Sequence, residues 1–131
     1  MREETKMLVA FYGIEDGLDW LNFPITKPKE LQFHHIKKKA NGGTMEFSNG
    51  AILTPTAHRF LHIIEKYDIE IYNAITKMFK IYVMQKNAPT NEQRIIVYKL
   101  LKEFYKRHEN TKTKKGKLIL KERYIIGKNM I

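Results

Sequence analysis

The chain has 131 residues, 43% apolar and 11% aromatic, with a formal net charge of +10 and no cysteine. That length and apolar share fit one domain with a real core, and the missing thiols exclude disulfide staples and thiolate metal sites, leaving imidazole, carboxylate and amide ligands. The positive excess points to a polyanion partner, nucleic acid ahead of an anionic membrane surface.

Met7–Trp20 is an apolar lead-in, with the run Leu8-Val9-Ala10-Phe11-Tyr12 and later anchors at Ile14, Leu18, Trp20 and Leu21, in a pattern that fits neither helix nor strand cleanly. It is too short to cross a bilayer and lacks a basic leader, so we expect no membrane span and no signal peptide, and a soluble, cytoplasmic protein. Pro24 and Pro28 make Asn22–Lys29 an irregular connection. Leu31–Ile36 reads as a short strand, with Phe33 and His35 facing opposite to Gln32 and His34. The basic loop Lys37–Asn41 and the reversal at Gly42-Gly43 follow, and after Asn49-Gly50 a second strand, Ala51–Leu53.

Thr54-Pro55 is a helix start, a hydroxyl cap before proline at the first position. That helix should run to about Tyr67 with Phe60, Leu61, Ile63 and Ile64 inward. Asp68 can cap another, Ile69–Lys86, whose aromatics read as core. Thr90-Asn91-Glu92-Gln93 resembles a capping box opening a third helix to about His108, packed through Ile96, Val97, Leu100, Leu101 and Phe104, with His108 serving the helix end. Asn110–Lys117 reads as a basic linker able to track DNA, and Leu118–Ile126 as either a short helix or a strand.

Four of the five histidines lie between Leu31 and Ile63. His58 and His62, four apart on a helix, share one face and can bind one ion, and His34 on the neighbouring strand could add a third imidazole. Three imidazoles leave coordination positions for water or a phosphate oxygen, and His35 then remains as a nearby general base. The run Leu31-Gln32-Phe33-His34-His35, then Gly42-Gly43, Asn49, Leu53-Thr54, His58-Arg59 and His62 resembles the HNH, or ββα-metal, nuclease family, most closely its colicin-type DNases. The resemblance covers about Leu31 to Lys66, roughly a quarter of the chain.

The resemblance implies that His35 activates the attacking water and that His34, His58 and His62 hold one divalent ion (Mg²⁺, Mn²⁺, Ni²⁺ or Zn²⁺). It also implies that Asn49 ties the inter-strand loop so that His35 stays oriented, although Asn49-Gly50 could equally be a plain turn. Colicin-type enzymes usually have glutamate where this chain has Gln32, so Gln32 supports a neighbour without supplying charge. Many other members have aspartate in place of His34, with cysteine pairs around a structural zinc. Arg59 and Lys37, Lys38 and Lys39 are candidate DNA phosphate contacts, set against a surface ion pair and a solvated loop respectively.

The expectation is an α+β domain, mostly helical outside the motif. Residues 1–30 form a lead-in packed on the motif, 31–67 the ββα-metal motif, 68–109 a two-helix extension and 110–131 a basic C-terminal arm. The activity expected is hydrolysis of DNA, double-stranded by preference, as in a phage or mobile-element enzyme. The alternative is an inactive nucleic-acid- or protein-binding module that keeps the metal as a brace, and a protein partner or a second copy of the chain stays open.

Overall fold

Two four-residue strands, β1 (Gln32–His35) and β2 (Gly50–Leu53), pair antiparallel in the register Gln32↔Leu53, Phe33↔Ile52, His34↔Ala51 and His35↔Gly50. So short a ribbon is marginal alone in water. Its stability comes from two helices that each pack on both strands, α1 (Glu3–Tyr12) and α2 (Pro55–Tyr67). The computed structural model describes residues 1–120, and α3 (Ile69–Gln85) and α4 (Asn91–His108) complete a mixed α+β fold that is mostly helical. Among the described residues, no helix is long and apolar enough to cross a membrane.

The first helix is where the expectation was least definite. Thr5, Leu8 and Tyr12 follow at helical spacing and are buried, but the outward Met7 and Phe11 are apolar too and stay about half exposed. Those two exposed side chains blur the period that marks an amphipathic helix. The three later helices start where the caps predicted. Thr54 accepts from Ala57 N, Asp68 accepts from Ile71 N, and Thr90 and Gln93 close a reciprocal capping box. In α2, Phe60, Leu61 and Ile64 are buried while Ile63 is partly so.

One expected core residue is placed differently. Ile96 is 46% exposed, and the inward face of α4 runs instead through Arg94, Val97, Leu101, Phe104 and Tyr105. The Arg94 guanidinium is accommodated because it pairs with the Asp16 carboxylate at 2.7 Å and donates to the Asp19 carbonyl and to Asn22 Oδ1, both at 2.9 Å. A buried charge is tolerated when paired and hydrogen-bonded in this way. Asp19 itself is fully buried, and its carboxylate accepts from the backbone amides of Leu21, Phe23 and Thr54 at 2.8–2.9 Å. Burial pushes that carboxyl up to about 6, against the amides that favour the anion. Residues 14–27 are thereby tied to the junction where β2 becomes α2, and Trp20 N donates to Ile52 O along the same strand.

The α2–α3 turn is fastened to the end of α4. Asp68 Oδ2 lies 2.9 Å from His108 Nε2, and His108 Nδ1 lies 3.0 Å from Thr111 Oγ1. His108 therefore serves the helix end, as expected. The stretch after it is no free linker: Lys112 and Leu118 form an antiparallel bridge around a turn at Gly116. Of the Leu118–Ile126 segment only Leu118–Leu120 is described, without helix or strand, and the remainder lies outside the described residues.

Candidate functional site

Strand β1 and helix α2 bring three of the histidines together. His34 sits in the strand, 6% exposed, and His58 and His62 project from successive turns of α2. His34 Nδ1 stands 3.4 Å from His58 Nε2, and the His58 and His62 rings stack at 5.0 Å between centroids. The Gln32 side-chain oxygen lies 2.7 Å from His58 Nδ1. That oxygen can only accept, so His58 carries its proton on Nδ1 and turns the lone pair of Nε2 toward His34.

Burial is the main reason both rings stay neutral. It lowers the His34 value to about 3, helped by the neighbouring His58, His62, His35 and Lys38, and it lowers that of His58, helped by His62 and His35. Two neutral imidazoles facing each other nitrogen to nitrogen have two ways to be satisfied. Either His34 Nδ1 donates to His58 Nε2, or both lone pairs address one cation. Two nitrogens at about 2.0–2.1 Å on a tetrahedral ion are separated by about 3.4 Å. The His34–His58 pair has that spacing, and His34 Nε2 is buried without a hydrogen-bond partner.

The third expected ligand does not close the set as placed. Among the described residues, no group of three His, Asp or Glu side chains stands as a ready cation site. His62 Nδ1 lies 3.8 Å from Glu65 Oε1, and its side chain is 64% exposed. Glu65 also pairs with Lys38, whose amine it holds above its ordinary value. The sequence reading missed Glu65, although His62 and Glu65 are three apart on a helix, a spacing that makes neighbours.

His35 faces away from His34, with its ring edge-on to Phe33 at 5.1 Å between centroids. No side chain among the described residues hydrogen-bonds it. It lines a cavity of about 510 Å³ that it shares with His58, Gln32, Arg2 and Thr5. Alternation along the strand thus separates the two adjacent histidines, and the cavity reunites His35 with the edge of the cluster. Arg2 carries no local signal. Only the packing of α1 on the sheet brings it there.

Asn49 fastens the loop between the strands. Its Oδ1 accepts from Lys37 N at 2.7 Å, and its Nδ2 donates to the carbonyls of Lys37 at 3.0 Å and Thr44 at 2.9 Å. Gly43 permits this closure, since a Cβ there would stand against the Lys37 carbonyl. Lys37 and Lys39 are exposed on that loop, while Lys38 is engaged with Glu65. Arg59 is turned from the histidines' cavity to a second one of about 350 Å³, lined also by Lys27, Thr54 and Thr56, and Arg59 Nη2 donates to Thr56 Oγ1. No known family model, curated protein or solved structure matches the chain.

Proposed function

We propose that this protein is a divalent-metal-dependent endonuclease of the HNH type that hydrolyses DNA, with β1, its loop, β2 and α2 as the ββα-metal motif. The observation that carries the reading is the His34 Nδ1–His58 Nε2 apposition beside a cavity walled by His35. His34, His58 and His62 would hold the ion. The exposed His62 ring would reach it by a change of rotamer, which costs little at a surface. When bound, the ion supplies a Lewis acid at the scissile phosphate and stabilises charge on the leaving 3′ oxygen.

The rest of the chemistry belongs to the chain. His35 takes a proton from a water whose oxygen attacks phosphorus, and the bond from phosphorus to the 3′ oxygen breaks. Asn49 fixes the backbone two residues beyond His35, holding the end of β1 against Gly50. Gln32 fixes the His58 tautomer, so that Nε2 keeps its lone pair for the cation. Lys37 and Lys39 on the inter-strand loop and Arg59 on α2 would supply phosphate contacts.

Incubating the protein with supercoiled plasmid and each of Mg²⁺, Mn²⁺, Ni²⁺ and Zn²⁺ tests this. Nicking should appear with at least one ion and be lost in His35→Ala, which still binds metal and DNA. Cleavage retained by His35→Ala removes it as the base. His62→Ala should weaken metal binding, and unchanged affinity breaks the ligand assignment. A second reading, a nucleic-acid-binding module that does not cleave, is favoured by the direction of His62 toward Glu65. Salt-sensitive DNA binding without nicking under any of these ions would establish it.

A further inference from the structure

The positive charge is not where the histidines are. Residues 1–90 contain the whole cluster yet hold twelve lysines and arginines against ten acids, a net +2. Residues 91–120 hold nine against three, a net +6. On α4, Lys99, Lys102 and Lys106 follow at helical spacing, so they occupy one face within an arc of about 60° and a length of about 10 Å. All three are exposed, and they border a shallow groove of about 510 Å³. Among the described residues none of the three forms an ion pair, because Glu103, the acid between them, is held by Arg107 at 3.2 Å.

The segment after α4 carries further positive charge in an ordered form. Lys112, Lys114, Lys115 and Lys117 are exposed on the turn in which Thr113 N donates to Lys117 O at 2.7 Å and Gly116 N to Thr113 O at 2.9 Å. The contacts of His108 with Asp68 and Thr111 anchor its base. Like charges gathered this way repel one another, and among the described residues Glu103 and Glu109 are the acids that line the same groove, neither of them paired with the α4 lysines. A row of phosphates would offset that repulsion.

We infer that the lysine face of α4 is a second nucleic-acid-binding surface that grips the DNA phosphate backbone outside the histidine cluster. Compact ammonium groups on flexible stems bind phosphate as point charges, so this surface holds DNA without reading its sequence. A duplex offers a charge every ~1.7 Å of axis, so about 10 Å of helix face meets enough phosphates for all three lysines. A membrane fits less well. Surface-bound helices need a broad apolar face beside the basic one, and on α4 this stripe is adjoined by only two exposed large apolar side chains, Ile95 and Ile96.

The inference rests on nucleic acid being the partner, as proposed above, and not on cleavage. The test is the triple variant K99A/K102A/K106A of the full chain. Alanine at exposed helix positions preserves helicity, which circular dichroism and a thermal melt verify. Anisotropy with a fluorescent duplex, read from 50 to 200 mM salt, should show the slope of log affinity against log salt reduced by about 2.7. The affinity lost across that range then becomes about forty-fold smaller than in the unsubstituted protein. An unchanged slope overturns the inference. So does a variant that loses binding to phosphatidylserine vesicles while its DNA slope stays intact. Nicking by the unsubstituted protein is scored separately: a reduced slope without nicking removes the nuclease and keeps this surface, and nicking with an unchanged slope does the reverse.

Discussion

Asn49 offers the sharpest test of the loop that positions His35, because its two polar atoms do opposite jobs. One accepts from Lys37 N, and the other donates to two carbonyls, of Lys37 and Thr44. Net hydrogen bonds contribute about 0.5–1.5 kcal/mol each, so Asn49→Ala should cost about 2–3 kcal/mol at this half-buried site. Asn49→Asp keeps the acceptor but sets a carboxylate against two carbonyl oxygens, and should cost about 3–4 kcal/mol at pH 7. The order of stability is therefore Asn, then Ala, then Asp, read as urea midpoints at constant slope. The carbonyl dipoles raise the folded pKa of the introduced carboxyl above its unfolded value, so stability is present at low pH and lost as pH rises through the folded value. Asn49→Asp should accordingly regain about 1 kcal/mol on acidification, when the protonated oxygen donates to one carbonyl. An aspartate variant as stable at pH 7 as the unsubstituted protein, or more stable than the alanine variant, would refute this account of the loop.

Three further outcomes follow from the same geometry. Burial depresses the folded value of His34 to about 3, below the ordinary 6.5; its contribution is present above 6.5 and lost as pH falls toward 3. In EDTA, the contribution of His34 itself should thus drop by about 1.4 kcal/mol per pH unit across that window, superimposed on the opposite contribution of buried Asp19, so His34→Phe should lower the slope by about that amount relative to the unsubstituted protein; an identical slope in the two proteins would show that His34 is not the group. Gln32→Ala releases the His58 tautomer and should weaken Ni²⁺ or Zn²⁺ binding about 10–100-fold by calorimetry, a result that unchanged affinity would contradict. Arg94→Ala removes the pairing with Asp16, the Asp19 carbonyl and Asn22, and should cost about 3–5 kcal/mol in denaturant; a loss below 1 kcal/mol would mean that the guanidinium is not needed to brace residues 14–27.

Much of this arrangement was written locally. Thr54-Pro55, Asp68 and the Thr90–Gln93 box fixed where three helices begin, because capping is settled within four residues. Alternation along β1 placed Gln32 with His34 and Phe33 with His35, and the i, i+4 spacing put His58 against His62. The chain itself also determined the absence of thiolate ligands and the +10 charge.

The tertiary structure decided the rest. The burial that keeps His34 neutral, the approach of Arg2 to His35, the engagement of Lys38 and His62 with Glu65, and the inward turn of Arg94 each join residues distant in sequence or depend on which rotamer packing selects. Local pattern records backbone preference and which face is apolar. It carries no trace of desolvation or of a charge's eventual partner, since both arise only when separate elements close on one another.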